Sequence, residues 1–362
     1  MDIKIKTRGK PIPIEERVKK YKPLCDGLYP HEVLLLDRAP YYTDKMERFT
    51  VDWEYSLGIQ NVTQLLANLT DRGYIRTGTL EESIYNCKVS SIKEQLKRNN
   101  LEVSGNKSIL VRRLMKSVPV DELSLIFNEH PYKLTPKGVE ILNNHEWVPY
   151  VHSKFSGVID IWDFSVLMAT PPFIDYKKKI WIYLDRKCND LYKSNNLGSL
   201  RGTLLKMSQF AHENGDYEKA FNLLCKVTAF DLTYSGNQFK LDIFYICLSY
   251  GNYFNYCPNG SCRVTEYFAG KYSNYMNLFG WTEEELRRNI VINISNTELP
   301  IRLFTPEECG DIVIAEIHKD TDRLKKIYSK AKREFKKANK NTFDEIKELD
   351  KHDLSYYLDR MK

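Results

Sequence analysis

Apolar residues recur at three- and four-residue spacings through most of this chain, and period-two alternation is confined to two short places. From Tyr29, the run P-H-E-V-L-L-L-D-R-A sets a proline at a helix start with a Leu/Val stripe behind it, and Phe49–Leu57 predicts a second short helix. Asn61 then caps a helix whose apolar face is Val62, Leu65, Leu66 and Leu69, closed by Gly73. Tyr74-Ile-Arg-Thr alternates as a strand does, and Tyr132-Lys-Leu predicts another strand, running into a Thr135 cap with Pro136 at the first helical position. Between the two strands, Ile92, Leu96, Leu110, Val111 and Leu114 keep helical spacing on either side of N-N-L-E-V-S-G. That pattern predicts two small amphipathic helices and a turn in which Asn100 and Gly105 tolerate positive φ.

The character changes at Val148, which is the expected domain boundary. Asp160–Met168 and Ile180–Tyr192 predict helices, N-N-L-G-S-L-R-G a linker-like turn, and Leu200–Asn214 with Tyr217–Leu232 an antiparallel pair around Gly215. Leu241–Tyr256 and Val264–Leu278 add helices around a Cys/Pro/Gly loop. Thr282 and Thr305 are N-caps followed by acidic first turns. The last long pattern continues from Cys309 towards Ala338, with Ile317, Leu324, Ile327, Tyr328, Ala331 and Phe335 on one face and lysines on the other, and Thr342–Met361 reads as a short helix pair. At the other end, residues 1–24 are a basic arm that P-I-P-I keeps from being one helix; it either follows a polyanion or wraps on the body. The expected class is therefore mainly α, with a basic arm at 1–24, one domain at 25–147 and a helical domain at 148–362.

The stretch Lys88–Leu114 resembles the SAP domain, a helix-turn-helix module used mainly to bind DNA. Ile92, Lys93 and Leu96 match its first helix, and Asn100-Leu101 its "GL" turn. Ser104, Gly105, Asn106, Lys107, Ser108, Ile109 and Leu110 match "sGkKaeL", and Arg113-Leu114 the closing "RL". Ile92 replaces the usual Leu and Asn100 the usual Gly, and the resemblance covers less than a tenth of the chain. It implies duplex DNA, AT-rich by family analogy, as partner. Lys93, Lys97, Lys107, Arg112 and Arg113 would then carry the charge, and Ser104, Gly105 and Asn106 would present backbone N–H groups to a phosphate.

Three helices followed by Leu66-x-x-Leu69-x-x-x-Gly73-Tyr74-Ile75 resemble a winged helix-turn-helix, with Val62–Arg72 as its recognition-type helix. The strand-cap-helix sequence at Tyr132-Lys-Leu-Thr-Pro-Lys-Gly138 is similar to the ending of winged-helix regulators of bacterial type. The resemblance implies that the SAP-like module, residues 87–118, is inserted into the wing, where exposed loop tips tolerate insertion. Asn61, Thr63, Gln64, Asn68 and Arg76 are the residues it offers to DNA, although the helix holds only one Asp and one Arg and reads more readily as a packing or dimerisation platform that displays the SAP-like module. In the second domain, H-E-N-G-D-Y-E-K-A-F-N-L-L resembles the turn and second helix of a tetratricopeptide-type hairpin, without a second copy at the repeat period.

Charge adds weight to the first resemblance. The chain has 362 residues and a net charge of +6, and residues 88–116 alone hold eight Lys/Arg against two Glu. The first 22 residues and those from Lys319 onward are also basic, which leaves the remainder acidic. Basic charge gathered on particular segments is the footprint of polyanion binding. No apolar run approaches the length of about 20 residues that spans a bilayer, and the N-terminus lacks the apolar core of a secretory signal, so a cytoplasmic location is expected. The eight Cys show no disulfide framework; Cys257 and Cys262 are a close pair but lie around a Pro-Asn-Gly turn without the second pair a zinc site requires.

Nothing marks an active site. The phosphate loop, the dinucleotide fingerprint, H-E-x-x-H and G-x-S-x-G are all missing, and Asp160, Asp163 and Asp175 near His152 lack an accompanying nuclease motif. The expected protein is non-enzymatic and DNA-binding, a regulator or a mobile-element or phage factor, with no cofactor, metal or membrane contact. Its expected partners are double-stranded DNA, a protein bound by residues 148–362 and a second copy in a homodimer. The alternative is an adaptor whose helical C-terminal domain grips a protein while the SAP-like module serves only localisation.

Overall fold

The computed structural model describes residues 12–233, 255–258, 260, 262–341 and 344. The described residues are mainly helical, with eighteen α-helices and one two-stranded sheet. The chain divides into two compact units, Met1–Lys179 and Ile180–Lys362. The sequence places this boundary at 147/148. The difference comes from two helices, α10 (Trp147–Phe155) and α11 (Ile161–Met168), whose aromatic residues are part of the first unit's core.

The first unit is built on α2 (Pro30–Arg38), which is buried from Pro30 through Leu36. A helix covered on all sides must be apolar all round, and here only His31 and Glu32 break the rule. Glu32 is tied to Arg72 at 2.5 Å, and the His31 ring stacks on Trp162 of α11 at 5.1 Å. The short α1 (Ile14–Lys20) is anchored to this body. Ile14 N–H donates to Gly58 O at 3.2 Å, and Arg17 pairs with Asp160 at 3.0 Å. Of the basic arm, then, residues 12–20 wrap on the protein; residues 1–11 lie outside the described residues.

Only Asp52–Tyr55 of the expected Phe49–Leu57 helix is helical; this is α3. The next helix, α4 (Val62–Asp71), forms as expected with Val62, Leu66 and Leu69 buried. Strand β1 (Ile75–Thr77) pairs antiparallel with β2 (Tyr132–Leu134), in register Ile75↔Leu134 and Thr77↔Tyr132. After β2 comes α9 (Pro136–Asn144), capped by Thr135. Gly138 lets α9 close on the end of β1: a Cβ there would stand 2.1 Å from Tyr74 O.

Four helices lie in the chain between β1 and β2: α5 (Leu80–Asn86), α6 (Val89–Arg98), α7 (Lys107–Ser117) and α8 (Val120–Ile126). Ile84, Ile92, Leu96, Leu110, Val111, Leu114, Val118, Leu123 and Phe127 form one core, with Leu101 and Val103 of the α6–α7 turn packed against it. The compact element is therefore longer than the expected 87–118, because α5 and α8 supply the lid that two short helices alone cannot provide.

The second unit carries α12 (Tyr176–Lys193), in whose first turn the division falls, then α13 (Leu197–Glu213) and α14 (Tyr217–Thr233). The expected linker at 195–202 is instead the capped start of α13, where Asn196 Oδ1 accepts from Ser199 N–H at 3.2 Å. The α13–α14 hairpin turns at Gly215, and Arg201 closes it with two bonds to Asp231 at 2.8 and 2.6 Å. Next come α15 (Glu266–Phe279), α16 (Glu283–Ser295), α17 (Pro306–Ile317) and α18 (Thr321–Ala338). The expected continuous helix from Cys309 to Ala338 is two helices. Lys319 takes φ +56° and Asp320 caps a new start through Arg323 N–H, 3.0 Å away. Leu324, Tyr328, Ala331 and Phe335 of α18 are buried as its stripe requires. The expected helices at 241–256 and 342–361 fall largely or wholly outside the described residues.

Candidate nucleic-acid interface

The basic hairpin is held in shape by its turn. Asn100 adopts φ +53° and Gly105 φ +116°, the two positions expected to need that freedom. Asn106 caps α7, its Oδ1 accepting from Ile109 N–H at 3.1 Å. Arg113 closes the loop from the other side. Its guanidinium donates to Glu102 O and, at 3.0 Å, to Ser104 O, and it pairs with the Glu102 carboxylate at 3.3 Å. Two of the expected contact residues thus have structural duties. The Asn106 side chain is committed to the cap, and Arg113 braces the loop that displays Ser104 and Gly105.

The remaining cations face water. Arg98 is neutralised by Glu94 at 2.7 Å. Among the described residues, Lys88, Lys93, Lys97, Lys107, Arg112 and Lys116 form no ion pair, so no carboxylate in contact neutralises these six charges. Lys93 and Lys97 lie one turn apart on α6, and Ser108, Arg112 and Lys116 succeed one another by single turns on α7. Tyr85, half exposed at 48%, lies before the motif, so the motif's spacing does not point to it. It stands beside the α7 N-terminus, with Lys107 Nζ 5.2 Å from its ring and its hydroxyl 3.4 Å from Ser108 Oγ. An exposed aromatic edged by a cation is a stacking surface as well as a charged one.

The face of α4 is differently placed. Asn61 is consumed as a cap, accepting from Gln64 N–H at 2.9 Å, and Asn68 accepts from Arg72 at 3.3 Å. Gln64, Asn68 and Leu65 line a cavity of about 520 Å³ whose lining also includes Ile14, Glu15 and Val18 of α1. The described part of the arm thus shares this cavity with α4, while Thr63, Gln64 and Asn68 all remain exposed. Arg76 is held by both oxygens of Glu82, each at 2.8 Å. These hydrogen bonds pull the Glu82 carboxyl down to about 2.

The acids near His152 do not converge. Asp160 binds Arg17, Asp163 accepts from the Tyr21 hydroxyl, Asp175 accepts from Lys177 N–H at 2.8 Å, and His152 pairs with Asp52 at 2.9 Å. Cys262 is buried, its thiol pushed up by burial and donating to Leu232 O, while Cys257 is exposed. One group with metal-ligating atoms does come together among the described residues: Cys25, Asp26 and His145. No helix among the described residues is long and apolar enough to cross a membrane. Comparison with known proteins returned no matching family model, curated protein or solved structure.

Proposed function

We propose that this chain is a non-enzymatic DNA-binding protein that grips duplex DNA through a SAP-like module inserted in the wing of a winged-helix-like domain. The observation that carries this reading is the hairpin itself. It shares one core with α5 and α8, its turn holds two positive-φ residues, six of its cations form no ion pair among the described residues, and the four-helix element is flanked by the paired strands β1 and β2. Because β1 and β2 pair on each other, the module is presented by two backbone attachments rather than by one linker, which reduces the entropy lost on binding. The role of α4 is then to support the fold, since its polar face shares a cavity with α1. AT-rich sequence is the preferred target by analogy with the SAP family, and a regulator or mobile-element factor is the matching biological role.

The test is fluorescence anisotropy with short AT-rich and GC-rich duplexes over a series of salt concentrations. Each phosphate contact contributes roughly −0.9 to the slope of log K against log salt. Replacing Lys97 and Arg112 together by Ala should therefore flatten the slope by about 1.8. Arg113→Ala should weaken binding by loosening the loop and change the slope less than Arg112→Ala does. Absence of binding by the intact protein at low salt, or an unchanged slope in the double variant, overturns the reading.

A further inference from the structure

Cys25 and Asp26 sit at the tip of a tight turn. Gly27 N–H donates to Leu24 O at 2.9 Å, and Leu24 N–H donates to Leu28 O at 2.8 Å. Arg72, itself fixed by Glu32, donates to Gly27 O at 3.4 Å and steadies the turn from outside. His145 reaches the same place from the C-terminus of α9, where its backbone N–H bonds to Ile141 O at 3.0 Å. Its side chain is buried, and Nε2 lies 2.6 Å from Asp26 Oδ2. Cys25 Sγ lies 3.8 Å from that same oxygen, and the three ligand atoms are all within 4.8 Å of one another.

We propose that Cys25, Asp26 and His145 form a binding site for a divalent metal of the zinc class. A thiolate, an imidazole and a carboxylate make the mixed S, N, O donor set that zinc accepts. With metal–ligand bonds of about 2.0–2.3 Å, the edges of a tetrahedron are roughly 3.3–3.8 Å. The Sγ–Oδ2 separation already has that length, and the Nε2–Oδ2 pair needs to open by less than about 1 Å from a hydrogen bond to a shared metal. A deprotonated thiol and an ionised carboxylate balance the charge of the dication. On binding, the thiol proton leaves to solvent and the proton that Nε2 shares with Asp26 gives way to the metal, leaving the imidazole with a single proton on Nδ1, so metal uptake releases at least one proton. Three protein ligands on a partly exposed turn leave a fourth position for water or an external ligand. Spacing could not reveal the site, because His145 is 119 residues from Asp26.

The test uses the full chain, stripped with chelator and titrated with Co²⁺ and then Zn²⁺. One equivalent of cobalt should produce a sulfur-to-cobalt charge-transfer band and the strong visible bands of a tetrahedral site, and zinc should displace both. Cys25→Ser removes the charge-transfer band and lowers zinc affinity by more than about tenfold, as does His145→Gln, whereas Cys257→Ser leaves both unchanged. Cys25 is exposed, so its serine variant retains the fold, and circular dichroism verifies this. No charge-transfer band in the intact protein, or a band and zinc affinity unaltered by Cys25→Ser, overturns the proposal and leaves an ordinary Asp–His pair beside a free thiol.

Discussion

His31 makes the stability of the first unit sensitive to mild acid. Its ring is only 4% exposed, stacks on Trp162 at an interplanar angle of 19°, and has no hydrogen-bond partner for Nδ1 among the described residues. Burial, reinforced by the nearby Arg17 guanidinium, pulls its pKa down to about 3. An unfolded chain protonates this imidazole below about 6.5, whereas the folded chain keeps it neutral. The unfolded state therefore holds the extra proton, and the contribution is complete above about 6.5 and lost as pH falls from there towards about 3. At roughly 1.4 kcal/mol per pH unit, lowering the pH to about 4.5 removes on the order of 3 kcal/mol. Replacing His31 by Phe keeps a ring against Trp162 and deletes the titrating nitrogens. We expect hydrogen exchange of α2 amides, followed through urea unfolding at about pH 7.5 and about pH 4.5, to show the intact protein losing roughly this much more stability than His31→Phe. Carboxylates contribute equally to both proteins and cancel in the difference. Equal pH dependence in the two would show that His31 is not held neutral and would refute the reasoning.

Two further outcomes follow from packing. Leu110 is fully buried in the core shared by α5 to α8, so Leu110→Ala should cost about 2–5 kcal/mol and selectively abolish exchange protection across residues 79–127. Loss of protection in α9 and α10 as well would mean that this core is not a separate cooperative unit. Gly138→Ala forces a methyl group against a backbone carbonyl that cannot rotate away, and should destabilise the first unit by on the order of 1–3 kcal/mol in thermal melts. An unchanged melting temperature would show that α9 does not rest on the end of β1 as described.

Helices with a long stripe and a capping residue could be recognised along the chain. Asn61, Thr135, Thr282 and Thr305 all cap the helices expected of them, because an N-cap bond joins residues three positions apart and needs no tertiary partner. The short α5 and α8 are not legible in the sequence, since seven residues carry too few apolar positions to define a period. Only two residues separate α10 from α9, and α10 contains Pro149, which reads as a breaker although it sits in the first turn, where proline is tolerated. The break at Lys319 was hidden because the apolar spacing runs on across it, while the chain changes direction through one left-handed residue.

For the candidate interface, the sequence by itself determined the hairpin, its turn residues and its excess of positive charge, all of which depend on neighbours within a few positions. Tertiary structure decided which cations remain free. Arg113 and Arg76 are bound to carboxylates and carbonyls, α1 shares a cavity with the face of α4, and Lys93, Lys97, Lys107 and Arg112 are left unpaired. It also brought His145 to Cys25 and Asp26. Periodicity records which face of an element is apolar, but a charge is cancelled, or a ligand set completed, by whatever the fold carries to within a few ångströms, and that information lies in the packing.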